Sequence, residues 1–490
     1  MSAAPRQAGK AAAPCRGIVA RLAAGALLLG VPIARPVLAQ AVPDQAVPAQ
    51  AVPAQAVPAQ AAPAVPPPPV APDSTVPPSR YGTLRLVPPE GAMRGFVILF
   101  SRGDGWTTDD QQAAAGLAAA GAFVAGVDTG YYLSHIDTAP DACHLMDGDA
   151  ETIARQVQRI HSPDRYFVPI LAGAGAGGAL AERVLALAPA NSIAGALSVN
   201  PEASPAITAL PCGSNATALN GFWDVGTTPD WPEAAAAAVA ERRSAGVVAD
   251  IRSFPAGGTE PEHLLALFTP HLAPAPESSD RLADLPLVEL PAAVPTDRLA
   301  VVVSGDGGWR DIDKSIAETL RHDGISTVGI DCLRYFWSER TPQRTADDLA
   351  RILRTYMARW HARHVALIGY SFGADVLPFA YMRLPADLRA RIDLMSLIAL
   401  SKGADFEIRV VGWLGAPPSA KALPIPPELA RLPAGRVQCI YGSDDADGSA
   451  CPGLAGTAAD VVRLPGGHHF GGDYEGLTRR ILAAWRARIG

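Results

Sequence analysis

The chain is poor in charge. Of 490 residues only 18% are Asp, Glu, Lys or Arg, and the net charge is −7. A basic surface able to follow a phosphate backbone is thereby excluded, and no nucleic-acid partner is expected. Cysteine is also scarce. The six cysteines include no Cys-x-x-Cys pair and no Cys/His spacing of the kind that holds zinc. Neither a metal site nor a cofactor is expected. Beyond residue 34 no apolar run is long enough to cross a bilayer.

Glycine and proline, 46 of each, are abundant, and the prolines cluster. Arg6, Lys10, Arg16 and Arg21 give a positive start to the apolar run "LAAGALLLGVPIA", residues 22–34, and small residues follow in "VLAQA". This pattern reads as a secretory signal over residues 1–39, too short to span a membrane comfortably. "AVPDQAVPAQAVPAQAVPAQAAPAVPPPPVAP" then repeats every five residues with a proline in each repeat. Such a segment buries no core, and an extended polyproline II tether is expected over residues 40–80. Export to the periplasm follows, with the outer face of the inner membrane as a candidate station. Cys15 leaves with the signal. In an oxidising compartment Cys439 with Cys451 and Cys143 with Cys212 are candidate pairs, leaving Cys332 over.

From Tyr81 the chain states one plan twice. "YGTLRLVPPEGAMRGFVILFSRGDGW" parallels "LPLVELPAAVPTDRLAVVVSGDGGW", and "GAFVAGVDTGYY" parallels "GISTVGIDCLRYF". Trp106 precedes Asp128 by 22 positions, as Trp309 precedes Asp331; Gly177 precedes Pro189 by 12, as Gly373 precedes Pro385. Two domains are expected, 81–275 and 284–490, joined by a proline-rich connection around residues 273–286. In each, short apolar strands alternate with segments of helical period, which predicts an α/β fold with a parallel sheet between helix layers.

"GYSFGAD", residues 369–375, follows the apolar strand candidate "HVALI" and precedes a helical segment. Gly-x-Ser-x-Gly in that context is the nucleophile-elbow pattern of α/β-hydrolases, with Ser371 as nucleophile. In that fold the acid and the histidine follow the serine in chain order. "CIYGSDDADGSAC" offers Asp445 as the acid, with Asp444 and Asp447 as alternatives. "LPGGHHFGGDY" offers His468 as the base, preferred to His469 because it directly follows the Gly466-Gly467 turn. The backbone N–H of Phe372 is one expected oxyanion donor; "SGDGGW" supplies the other from Asp306 or Gly307. The Asp306 carboxylate would welcome a substrate ammonium and repel an anionic acyl chain. The first copy has lost this set. Gly175 falls where Ser371 sits, "FPAGGTEPEH" replaces "LPGGHHFGGD" with His263 nearby, and "FWDVGTTPD" replaces "CIYGSDDAD". The fold expected is therefore a tandem of α/β-hydrolase-like domains, the second catalytic and the first degenerate.

"SGDGGW", "IGYSFGADVLPF", "CIYGSDDAD" and "LPGGHHFGGDY" resemble the bacterial AcvB/VirJ virulence-protein family, and the two-domain layout resembles its AcvB type. The resemblance implies a periplasmic α/β-hydrolase that cleaves lysyl-phosphatidylglycerol between lysine and the headgroup glycerol, with Ser371, Asp445 and His468 in the catalytic roles. An aminoacyl-phospholipid at the membrane surface is the implied substrate, and secretion-system proteins are candidate partners. Two other functions compete: a periplasmic accessory factor that binds without catalysis, and a generic lipase or esterase.

Overall fold

The computed structural model describes residues 79–103, 105–136, 146–210, 218–273, 282–409 and 419–489. The expected signal, nearly all of the proline-rich segment, and the Cys143 and Cys212 pair lie outside them. The described residues hold two seven-stranded sheets within one compact unit. The first contains β1 (Arg85–Val87), β2 (Gly95–Phe100), β3 (Ala122–Val127), β4 (Ile170–Ala174), β5 (Gly195–Val199), β6 (Phe222–Thr227) and β7 (Asp250–Ser253), ordered β1-β3-β2-β4-β5-β6-β7. The second contains β8 (Leu287–Leu290), β9 (Arg298–Val303), β10 (Ser326–Ile330), β11 (His364–Tyr370) and β12 (Ile392–Ile398). A small ribbon of β13 (Gly403–Ala404) and β14 (Leu423–Pro424) intervenes before β15 (Val437–Gly442) and β16 (Asp460–Leu464) complete that sheet. Its order is β8-β10-β9-β11-β12-β15-β16, the same path as the first. In each sheet the first strand is antiparallel and every other pairing is parallel. Shared strand order, parallel pairing and helical connections make the molecule a tandem of α/β-hydrolase-like domains, as the repeated sequence plan predicts.

Continuous apolar strands explain the layering. All six residues of β2 and of β3 are buried, as are all five of β10, so both sheet faces need cover. In the second domain Ile312, Ile316 and Leu320 from the helix Asp311–His322 meet Leu477, Ile481 and Trp485 from the helix Tyr474–Ile489 on one face. The helices Pro342–Arg359 and Phe372–Arg383 cover the other. Cys439 and Cys451 are joined in a disulfide, and Cys332 is free and buried. Among the described residues no helix is long and apolar enough to cross a membrane.

The repeated spacings have a local cause. A Cβ at Gly329 would run into the Trp309 ring, and one at Gly126 would run into Trp106. Each tryptophan ring therefore packs against a glycine of the next strand. Asp128 and Asp331 each cap the short helix after that strand, accepting from Tyr131 N at 3.0 Å and from Arg334 N at 3.2 Å.

The halves also grip each other. The Arg159 guanidinium lies 4.0 Å from the centre of the Trp337 ring and donates to the carbonyls of Trp337 and Ile408, each at 2.6 Å. Trp337 Nε1 donates back to Ser162 O at 2.8 Å, and Asn191 donates to Trp309 O at 2.7 Å.

Candidate active site

The chain runs from β9 to β10 on one side and then to β11 on the other. The crevice beyond the carboxyl ends of β9 and β11 is thus the topological switch point, where open α/β sheets bind ligands. Ser371 stands directly after β11, and the loop "SGDGGW" directly after β9.

The glycines around Ser371 answer to close packing. A Cβ at Gly369 would lie 2.6 Å from Gly373 O, and a Cβ at Gly373 would strike Val303 O. The turn leaves Ser371 at φ 52°, ψ −119°, a strained conformation for a residue with a side chain. Its N–H donates to Ile398 O at 2.8 Å, and its own carbonyl accepts from Asp375 N at 3.0 Å.

The second histidine-bearing loop reaches this serine. His468 Nε2 lies 2.9 Å from Ser371 Oγ, and His468 Nδ1 lies 3.7 Å from Asp445 Oδ2. The second distance exceeds a hydrogen bond, and Asp445 Oδ2 has no hydrogen-bond partner among the described residues. The Asp445 carboxylate thus faces the His468 ring without a closed hydrogen bond between them. Desolvation holds the His468 imidazole below its ordinary pKa, with Asp445 pulling the other way, which favours the neutral base. Among the described residues neither alternative acid pairs with His468. Asp444 is exposed and accepts from Ser443 Oγ at 2.9 Å, while exposed Asp447 offers its backbone carbonyl to Lys402 Nζ at 2.6 Å. His469 meets the Tyr370 hydroxyl rather than the serine, at 3.2 Å.

The β9 loop packs against the elbow. A Cβ at Gly305 would be 3.7 Å from Ser371 Cβ and 3.3 Å from the Tyr370 ring. Arg310 Nε ties the loop by donating to Gly307 O at 2.8 Å. Among the described residues the N–H groups of Phe372 and Asp306 have no acceptor. Asp306 is half-buried, and its charge is felt at His468 and at Asp375. Beside His468 lies a cavity of about 370 Å³ whose polar lining includes Ser401, Tyr441, Asp444, Asp445 and Ser449. It has room for a group the size of an amino acid.

Two residues escaped the sequence reading. Burial pushes the Asp375 carboxyl up to about 8, and Ser401 binds it through N at 2.8 Å and Oγ at 2.9 Å. An aspartate one helical turn after the elbow serine was the available signal. Tyr370, the second residue of the Gly-x-Ser-x-Gly motif, had none.

The first half closes the equivalent place. Gly175 keeps the elbow conformation with φ 53°. Ala176 N–H, the counterpart of Phe372 N–H, donates to Arg102 O at 2.9 Å. The Arg102 side chain lies over Gly175 and pairs with Glu260. His263 is buried and stacked on Phe254, with ring centres 4.2 Å apart. The serine and the histidine pair are missing there, and the donor that matches Phe372 N–H is filled.

Residues 297–489 match the model of a family described as bacterial virulence protein (VirJ). Most of the second half is thus similar to that family. No curated protein matches the chain. Solved structures similar to it include a hormone-sensitive lipase from a metagenome library, at 15% identity and a TM-score of 0.29, covering 39% of this chain and 76% of that one. Est1E from Butyrivibrio proteoclasticus, with ferulic acid bound, is 12% identical with a TM-score of 0.31, covering 42% and 95%. XC6422 from Xanthomonas campestris, an α/β serine hydrolase without a lid, is 15% identical with a TM-score of 0.27, covering 41% and 94%.

Proposed function

We propose that this protein is a serine ester hydrolase of the periplasm, acting through its VirJ-like domain on aminoacyl esters, with lysyl-phosphatidylglycerol as the substrate. The observation that carries the reading is the 2.9 Å contact between His468 Nε2 and a serine held at positive φ. The copy without that serine has also filled its donor position with Arg102 O.

In the reaction His468 takes the proton of Ser371 as Oγ attacks the aminoacyl carbonyl. The N–H groups of Phe372 and Asp306 receive the oxyanion. Collapse breaks the ester bond, and His468 returns the proton to the departing glycerol oxygen of phosphatidylglycerol. Water then attacks the acyl-enzyme with His468 again as base, releasing lysine and restoring the serine. Asp445 orients the imidazole and stabilises the imidazolium. The family resemblance supports the lysyl group, and so does the carboxylate of Asp306 beside the elbow. Phosphatidylglycerol as leaving group rests on the resemblance alone.

The test is purified full-length protein on vesicles of lysyl-phosphatidylglycerol, with released lysine as readout. Wild type should release lysine and Ser371→Ala should not. Equal release by both proteins would remove Ser371 from the chemistry. No release by wild type, with hydrolysis of simple esters intact, would retain the esterase and discard the substrate.

A further inference from the structure

Tyr370 stands between the elbow, the β9 loop and the histidine loop. It immediately precedes Ser371, its ring packs against Gly305 of the β9 loop, and its hydroxyl lies 3.3 Å from His468 O and 3.2 Å from His469 Nδ1. Its ring centre is 5.4 Å from that of His468 and 6.3 Å from that of His469. The side chain is only 6% exposed, whereas both histidines are exposed. The histidine loop is anchored beyond the pair by buried Phe470. It turns through Gly466 at φ 89°, and its backbone is tied on the acid side by Asp444 N donating to Gly466 O at 3.1 Å. On the serine side the contacts come from Tyr370 and from Ser371 itself. The degenerate copy makes the same point in reverse. Ala174 takes the place of Tyr370, Arg102 takes the place of Gly305, and the histidine pair is absent.

We infer that Tyr370 is a positioning residue that braces the His468 loop against the elbow, with His469 as its partner rather than as a second base. The inference rests on the serine-hydrolase reading above. The single hydroxyl proton faces two acceptors, the His468 carbonyl and His469 Nδ1 when that nitrogen is unprotonated. The two contacts together fix the backbone that aims His468 Nε2 at Ser371 Oγ, and losing one loosens it. Burial holds the hydroxyl pKa well above its ordinary value, so the proton stays in place across the working range. The tyrosine touches no reacting atom and acts through the histidine.

The experiment is fluorophosphonate labelling of the full chain, read as both endpoint and rate, beside kcat and KM for p-nitrophenyl acetate. Wild type should label once, at Ser371. Tyr370→Phe should reach the same endpoint roughly 10-fold more slowly, a change of about 1.4 kcal/mol, with kcat lowered and KM unchanged. His469→Ala should be slowed roughly 3-fold, and the double variant should be no slower than Tyr370→Phe alone, because both changes remove one brace. An unchanged labelling rate in Tyr370→Phe, or additive losses in the double variant, would overturn the inference. If Tyr370→Phe fails to reach the endpoint, His469→Ala on its exposed loop decides: slowing supports the brace and a wild-type rate overturns it. A wild type that does not label at all would instead bring down the hydrolase reading, and the brace with it.

Discussion

Replacing Ser371 by glycine should make the protein more stable while it abolishes ester hydrolysis. Ser371 sits at φ 52°, ψ −119°. A side-chain-bearing residue in such a region costs of order 1–3 kcal/mol. Glycine removes that strain but adds about 0.5–1 kcal/mol of backbone entropy to the unfolded chain. The balance favours glycine by about 1 kcal/mol, or about 2–4 °C in melting temperature for a domain of this size. Ser371→Ala is the proper reference, since it also lacks the hydroxyl bonded to His468 but keeps the Cβ and the strain. The assay is thermal unfolding of both variants in one buffer, beside hydrolysis of a simple ester, which both should lose. The first half supplies the opposite arm. Gly175 has φ 53°, and a Cβ there would sit 3.1 Å from Arg102 Cγ and 3.2 Å from Arg102 O. Gly175→Ala should therefore lower stability by about 2 kcal/mol. A Ser371→Gly protein that melts at or below Ser371→Ala would refute the strain account.

Asp445→Asn should lower kcat by at least 10²-fold and move the acidic limb of the pH–rate profile to lower pH; the carboxylate favours the imidazolium, so its loss depresses a histidine already below its ordinary value of about 6.5. A limb that moves upward in a pH titration of kcat/KM would exclude Asp445 as the partner of His468. Asp306→Asn should lower kcat/KM for lysyl esters by roughly 10-fold and much less for alanyl or plain acyl esters, whereas equal losses across the three in parallel assays would leave that side chain a structural role only. Asp375→Asn should gain stability relative to wild type as pH rises. The wild-type carboxyl titrates near 8 when folded, so between the unfolded value of about 3.9 and that pH folding must take up a proton at growing cost. Melting curves at pH 5 and 8 whose difference does not widen would contradict it.

What could be read from the chain was whatever local rules enforce. The duplication showed because a tryptophan packed on a glycine and an aspartate cap recur at fixed separations, set by two successive strands and the helix between them. Ser371 showed because an elbow this tight admits only glycine at 369 and 373. The pairing of Cys439 with Cys451 was within reach of short spacing. Choices between neighbours were harder. Asp444, Asp445 and Asp447 share one loop, and only its folded path brings Asp445 towards a histidine 23 positions later. Tyr370 and His469 are 99 positions apart, and no sequence period links them. The Arg102 carbonyl on Ala176 N–H was equally hidden, because backbone acceptors leave no mark on residue type.

The two copies separate the demands of fold from those of chemistry within one chain. Gly173 and Gly177 survive in the first half because a Cβ at either would strike the backbone packed against it, just as at Gly369 and Gly373. The Trp106–Gly126 contact and the Asp128 cap survive for the same kind of reason. Every change that removes chemistry spares this scaffold. Where the second half has the strained Ser371 the first has Gly175, the one residue that occupies φ 53° without a side-chain penalty. Arg102 stands where the second half has Gly305, and its carbonyl accepts from Ala176 N–H. An unpaired donor at the start of a helix costs stability unless a substrate uses it. With no nucleophile to serve, filling the donor and relaxing the elbow both lower the free energy of the folded state. The open Phe372 N–H and the strained Ser371 of the second half are costs of the same kind left in place, and catalysis is the reason the geometry offers for keeping them.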